Sequence, residues 1–236
     1  TPLYSSAASD VYKRQIHTFD KVLLAIGREA NLKNLKLQNI GIKLDGNGVP
    51  EFDEKRMCLK KHPHIFLIGD VNNFRPILHE AADEGKIAGY NSVNEEKCFQ
   101  RRTPIGITFS DPNIGYVGKR YDDLKKDKVD FVTGKVSFEG QGRSILMLND
   151  KGLLHVYAHK VSGKILGAEL QAPQGEHLLH LLAWGIELNL TVDQSLNMPF
   201  YHPTIEEGLK TALRDASKQI SLKNEELFRC EDMPTR

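Results

Sequence analysis

His202 and Glu207 flank Pro203 and Thr204 in the stretch Met198-Pro199-Phe200-Tyr201-His202-Pro203-Thr204-Ile205-Glu206-Glu207. An imidazole titrates near neutral pH, and a carboxylate held against one ring nitrogen fixes the tautomer and favours the protonated ring. Together they make a general base with an orienting acid. Pro203 locks its own φ and biases His202 away from the helical region, so His202 is expected on a rigid extended turn before a helix opening near Thr204. Thr204 and Glu207 also have the spacing of a capping box, so helix capping is the competing reading of Glu207. On the residues alone an ordinary His-Pro turn is the commoner outcome.

A second pairing of backbone freedom with a carboxylate closes the apolar run Ile65-Phe66-Leu67-Ile68-Gly69-Asp70. The run has the form of a buried strand, and Gly-Asp at its C-terminal end lets backbone and carboxylate approach a ligand. Asp70 could equally be an N-cap for the following helix. Phe19 to Arg28 reads as another strand buried on both faces, ended by Gly27. Other chemistry-bearing residues carry less. Glu176, His177 and His180 lie within one turn but have no third ligand at a recognised spacing, so surface or capping roles are expected and no metal site. Gly140-Gln141-Gly142-Arg143 lacks the following Lys-Ser/Thr and is expected between strands, with Arg143 a turn residue. Cys58, Cys98 and Cys230 form no paired motif and read as reduced thiols.

The elements that must hold these residues belong to an ordinary globular chain of 236 residues, 40% hydrophobic and 27% charged, enough for one large or two modest domains. A formal net charge of +1 argues against nucleic-acid binding through a basic field, and the apolar runs are too short to span a bilayer. A cytoplasmic location is expected. Asp45-Gly46-Asn47-Gly48 marks a tight turn, and Arg101 to Pro104 reads as a linker. Strands are expected over Ile105 to Phe109, Ile114 to Gly118, Val129 to Phe138, Ser144 to Leu148, Leu153 to His159 and Ile165 to Leu170. A short helix suits Tyr121 to Lys126. Longer ones suit Gly175 to Leu188 and Ile205 through Ala216, giving an antiparallel sheet with helices packed on it. The tail from Ser221 to Arg236 is charged, lacks a period and is expected to fray.

Three stretches share a family likeness. His202-Pro203-Thr204 with Glu207 resembles the C-terminal signature of the flavin- and nicotinamide-dependent disulfide reductases, in which the histidine takes a proton from a dithiol and the glutamate orients it. Gly69-Asp70 followed by Leu78-His79-Glu80-Ala81-Ala82-Asp83-Glu84-Gly85 resembles that family's second flavin motif, where the aspartate bonds the ribityl chain and the next helix aims its N-terminus at the flavin ring, its dipole favouring negative charge there. The run from Phe19 through Gly27 to Asn31 resembles the strand and turn where the chain leaves the nicotinamide domain. The resemblance spans about Ile16 to Ile220 and includes Ser110-Asp111-Pro112-Asn113-Ile114.

The likeness implies a mixed architecture, α/β plus α+β. It places the end of an NAD-binding domain and the C-terminal part of an FAD-binding domain in residues 16–99, an interface domain in 100–220, and a tail in 221–236. It implies FAD and NAD as cofactors, with Gly27, Gly69, Asp70, Ile77, Leu78, His79 and Ala81 on the flavin side and His202 and Glu207 catalytic in a homodimer. The dihydrolipoamide dehydrogenase branch is the nearest, because the histidine is kept, with dihydrolipoamide or a lipoyl-carrying protein as partner. Neither a GxGxxG nor a paired redox-cysteine motif occurs in the sequence. A divergent reductase of another disulfide, or a non-catalytic dimerisation module, are the alternative readings. Thr1 to Gln15 has no signal-peptide core or structural period and resembles a translated sequencing adapter, which would have the native sequence entering at about Ile16.

Overall fold

A computed structural model describes residues 6–9 and 16–221, which leaves most of the adapter-like segment and of the tail, Cys230 included, outside the described residues. The chain divides into two compact units, Thr1–Phe99 and Gln100–Arg236.

In the first unit, β1 (Ser6–Ser9) pairs antiparallel with β2 (Ile16–Phe19). The expected strand from Phe19 to Arg28 does not form beyond Phe19. Residues 20–28 have no regular structure, and Val22, Leu23, Leu24 and Ile26 are exposed. The physical reason is the lack of a ladder: an apolar run is held as a strand by neighbours that satisfy its N–H and C=O groups, and among the described residues none pairs with 22–26. The turn at Asp45 forms as expected, the Asp45 carboxylate accepting from the N–H groups of Asn47 and Val49 beside a Leu44–Pro50 bridge. The expected buried strand at Ile65–Ile68 is shifted. Strand β4 covers His62–Phe66 and folds back on the two-residue β3 (Cys58–Leu59), so it is a half-buried antiparallel hairpin, with Ile68 exposed. Helix α1 (Leu78–Val93) buries Ile87 and Ala88 against Met57, with Phe52, Phe66 and Phe99 alongside. A second small core joins Leu32, Ile42, Val49, Leu59 and Leu67.

The second unit is a five-stranded antiparallel sheet in the order β5 (Ile105–Thr108), β6 (Asn113–Gly118), β9 (Ile165–Ala172), β8 (Leu153–His159), β7 (Phe131–Ser137). Helix α2 (Tyr121–Lys126) lies between β6 and β7. The period of two is clean. Val132, Leu154, Val156, Ala158, Ala168 and Leu170 line one face and bury against α4 (Gly175–Glu187) and α6 (Glu206–Ser217) through Leu178, Leu182, Leu209, Leu213 and Ala216. On the other face Tyr157 stacks edge-on against Phe131 and donates its hydroxyl to Glu169. Burial, with that hydrogen bond second, pushes the Tyr157 phenol well above its ordinary range. Helix α6 crosses β7 so closely that a Cβ on Gly134 would sit 2.1 Å from the Ala212 carbonyl oxygen, so only glycine fits there.

Two expectations fail in this unit. Ser144–Leu148 is not a strand. Residues Gly142–Leu146 form the short helix α3, which the Gln141 side chain caps by accepting from the Ser144 N–H. The run Ile145, Leu146 and Leu148 is exposed and has no sheet partner, and local capping decides the conformation instead. Gly140-Gln141 therefore precedes a helix and does not link two strands. A helix not foreseen, α5 (Val192–Leu196), begins with a reciprocal capping box between Thr191 and Gln194, a signal that was legible in the sequence.

Candidate active site

The short α5 ends at Leu196, α6 begins at Glu206, and the connection between them carries the histidine. Its apolar residues Met198, Pro199 and Phe200 line a cavity of about 420 Å³, together with Leu182, Leu209 and Leu213. His202 and Pro203, joined by a cis peptide bond, then face outward, with the His202 side chain 81% exposed.

The structure brings His202 and Glu207 together. His202 Nδ1 lies 3.0 and 2.9 Å from the two carboxylate oxygens of Glu207. Glu207 Oε2 also accepts from the Thr204 N–H at 3.2 Å. The hydrogen bond to His202 first, then the one from Thr204, holds the Glu207 carboxyl below its ordinary value of 4.5. An ionised carboxylate can only accept, so Nδ1 of the ring must carry the proton. In the neutral ring Nε2 is then the basic nitrogen, on a side chain open to an incoming donor.

The two readings of Glu207 therefore coexist. The return arm of a capping box is present, from Glu207 to the Thr204 N–H. The forward arm is not: the Thr204 hydroxyl donates to the Tyr201 carbonyl at 2.9 Å, and the geometric N-cap is Ile205. Thr204 closes the histidine turn instead of capping the helix.

In the first unit, Gly69 has φ +73° and begins a 3-10 turn through Asn72, so the expected strand end is a turn. Its N–H donates to Glu84 Oε2 at 2.6 Å, and Asn72 Nδ2 reaches the same oxygen at 2.8 Å. Glu84 is fully buried and fixes this turn from beneath. Sequence reasoning passed over its role because the spacing to Gly69 is set by tertiary packing. Asp70 is half-exposed, and its Oδ2 is 2.5 Å from Arg28 Nη1. The same guanidinium donates to the Pro76 carbonyl at 3.3 Å. Arg28 thus ties the segment after Gly27 to Asp70 and to the entry of α1, where Ile77 is the N-cap without a side-chain cap and Leu78 and His79 are exposed. A Cβ on Gly69 would meet Ala81 at 3.5 Å. Gly69, Asp70, Ile77, Leu78, His79 and Ala81 form this one turn-and-helix entry, and Gly27 precedes the arginine that reaches it; the half-exposed carboxylate can accept from hydroxyl groups, and the helix N-terminus favours negative charge.

Glu176, His177 and His180 share the start of α4, where His180 Nδ1 lies 2.7 Å from the Glu176 carbonyl oxygen. Among the described residues no cluster of three His, Cys, Asp or Glu could hold a metal ion. Cys58 is buried and Cys98 exposed, both as free thiols, and burial pushes the Cys58 thiol up.

Comparison with known proteins matches both units to one family. Residues 105–213 match the pyridine nucleotide-disulphide oxidoreductase dimerisation domain, and residues 9–85 match the pyridine nucleotide-disulphide oxidoreductase domain. The chain is 31% identical over 201 residues to a dihydrolipoyl dehydrogenase of Haloferax volcanii, covering 85% of this chain and 42% of that protein. It is 30% identical over 188 residues to the dihydrolipoyl dehydrogenase of Geobacillus stearothermophilus, covering 80% and 40%. The chain thus spans about two fifths of the length of these relatives. Its fold is similar to that of the HOCl-induced flavoprotein disulfide reductase RclA from Escherichia coli, with a TM-score of 0.70 and 18% identity over 86% of this chain and 46% of that one.

Proposed function

The chain belongs to the pyridine nucleotide-disulphide oxidoreductase family, and from that premise we propose that the intact protein is an FAD-dependent dithiol/disulfide oxidoreductase of the dihydrolipoyl dehydrogenase type, working between dihydrolipoamide and NAD. The observation that carries this reading is the His202–Glu207 pair: a ring whose Nδ1 is committed to a carboxylate and whose Nε2 is left basic on an exposed loop. Such a group removes a proton from a dithiol and returns one to a thiolate leaving group, and thiolate is the form that attacks a disulfide. Glu207 holds the ring in the working tautomer and offsets the charge the ring gains with the proton.

The residues gathered around Gly69 and Asp70 fit the flavin. Arg28 engages one carboxylate oxygen of Asp70, and Oδ1 is the atom that would take a ribityl hydroxyl, while the entry of α1 would face the ring system. When bound, FAD supplies the two-electron relay between the disulfide and the nicotinamide. The likeness to dihydrolipoyl dehydrogenases supports a lipoyl group, free or carried on a protein, as the dithiol.

A homodimer is part of the proposal. Leu181, Trp184 and Leu188 are exposed on successive turns of α4 and its C-terminal cap, an apolar stripe within the region that matches the dimerisation domain. Free thiols at Cys58 and Cys98 support a reducing, cytoplasmic setting. No helix among the described residues is long and apolar enough to cross a membrane.

The test uses the intact protein with FAD bound. His202→Gln should slow dithiol-driven NAD reduction by about 10²–10⁴-fold, the usual range for loss of a general base. It should largely spare dye reduction by NADH, which needs no base beside a dithiol. Equal loss in both assays would make His202 a structural residue and overturn the reading.

A further inference from the structure

The backbone of Thr204 is held from both sides, through the two peptide groups that flank its Cα. Its N–H donates to Glu207 Oε2, and its carbonyl accepts from Gln141 Nε2 at 2.7 Å, across 63 positions of sequence. Gln141 is itself fixed at its other end. Its Oε1 accepts from the Ser144 N–H at 2.7 Å and lies 3.0 Å from the Ser144 hydroxyl. Ser144 is fully buried, with its hydroxyl also 2.9 Å from the carbonyl oxygens of Phe138 and Gln141. Gln141 therefore has no rotamer to choose: donor and acceptor ends of one amide are both assigned, and swapping them would lose both contacts.

The same loop supports the pair from below. The Phe138 ring is fully buried beneath the first turn of α6, and a Cβ on Gly208 would lie 2.7 Å from it. The residue after Glu207 is thus seated on the residue that starts the 138–144 loop, and the residue two after His202 is tethered to that loop's cap.

We propose that Gln141, locked by Ser144, is the positioning residue of the His202–Glu207 pair, fixing the backbone at Thr204 so that the Thr204 N–H and the His202 ring meet one carboxylate together. The role rests on the reading of that pair as the acid–base couple. The geometry gives the reason for a tether. His202 is on an exposed connection, and a carboxylate that must face two donors from different residues needs both held in place, or it serves only one. Were the tether lost, the half-buried Thr204 carbonyl would be left without its partner and the turn would relax towards water.

Three variants of this chain separate the possibilities. Gln141→Met keeps length and removes donor and acceptor. Gln141→Glu keeps the acceptor towards Ser144 and removes the donor towards Thr204. Ser144→Ala removes the hydroxyl contact to Gln141 and keeps the one from the residue-144 N–H, which loosens the lock. The readouts are the titration of the Glu207 side-chain carboxyl and the hydrogen exchange of the Thr204 amide by NMR, with circular dichroism to check the fold. Gln141→Met and Gln141→Glu should both raise the Glu207 midpoint towards the ordinary carboxylate value and speed Thr204 exchange, with Ser144→Ala intermediate. In the intact protein, Gln141→Glu should lower dithiol-driven turnover about two- to tenfold, the factor matching one ordinary hydrogen bond. A space-filling role leaves Gln141→Met silent. Unchanged Glu207 titration and Thr204 exchange in both folded Gln141 variants would overturn the proposal. Should Gln141→Met not fold, Gln141→Glu alone decides by the same two measurements. The NMR result stands apart from turnover: a silent His202→Gln in the dithiol assay would remove the catalytic reading of the pair and leave the tether itself demonstrated or refuted.

Discussion

Two apolar runs, 22–26 in the first unit and Leu153–His159 in the second, look alike as sequence and end differently. The second run is β8, bonded along both edges to β7 and β9, with Leu154, Val156 and Ala158 fully buried under α4 and α6. The first has no ladder among the described residues, and Leu23 and Ile26 are each 89% exposed. Hydrophobicity is common to both, so it cannot be what makes a strand. The hydrogen-bonding neighbours do that, and burial follows from them. The two candidate sites differ in what fixes them. The backbone beside the His202–Glu207 pair is braced by a distant glutamine, whereas the turn that carries Asp70 is fixed by the buried Glu84 and its carboxylate pairs with an exposed arginine.

The sharpest test of the contrast is truncation in each run's surroundings. Leu178, fully buried between α4 and the sheet, should cost about 2–5 kcal/mol on Leu178→Ala, the range for a leucine whose cavity only partly collapses. Leu23→Ala should stay within about 0.5 kcal/mol, as an exposed side chain does. Urea unfolding of both variants measures this. Comparable losses would mean that the 22–26 run is packed in solution and would break the comparison.

Next in size is Asp70. Its carboxylate is proposed to hold the flavin, so Asp70→Ala in the intact protein should weaken FAD retention about 10- to 100-fold, the worth of a hydrogen bond to a charged group, with the fold kept. Flavin content after gel filtration reads it. Unchanged content would return Asp70 to being only the partner of Arg28. Smaller again is the expected effect on assembly. Trp184 is 67% exposed in the middle of the α4 stripe, and Trp184→Ala should weaken the dimer about tenfold, a modest value for an aromatic interface residue. Sedimentation across a concentration series would show it, and an unaltered association constant would move the interface off this face of α4.

What the sequence disclosed follows the same division. Strands β8 and β9 and helices α2, α4 and α6 could be read from period and turn chemistry because, in the second unit, the local pattern and the tertiary partners agree. Helix α3 could not, because Ile145, Leu146 and Leu148 look like a strand and are overruled by a single glutamine cap. The His202–Glu207 contact was legible from spacing and family likeness. The brace from Gln141 was not, since no local rule joins residues 63 positions apart.

The smallest expected effect concerns Glu207 as a stabilising group. Its carboxyl is held below 4.5 in the folded chain by His202 and by the Thr204 N–H. A carboxyl whose folded value is lowered contributes stability that is fully present above the unfolded value and is lost as pH falls through the folded one. Glu207→Gln removes that titration. The amide oxygen still accepts from the Thr204 N–H, so the cap survives, and the pair is open to solvent, so the urea midpoint near neutral pH should fall only slightly. On acidification below 4.5 the wild-type chain gives up its advantage while the variant has none to lose, so their urea midpoints should converge. In a Gln141→Glu background the carboxyl of Glu207 should titrate nearer its ordinary value, and the gap opened by adding Glu207→Gln should already be smaller at neutral pH. A gap that stays constant from neutral to acid pH would mean that Glu207 serves only as a neutral cap, and that the pairing with His202 contributes nothing to the fold of this loop.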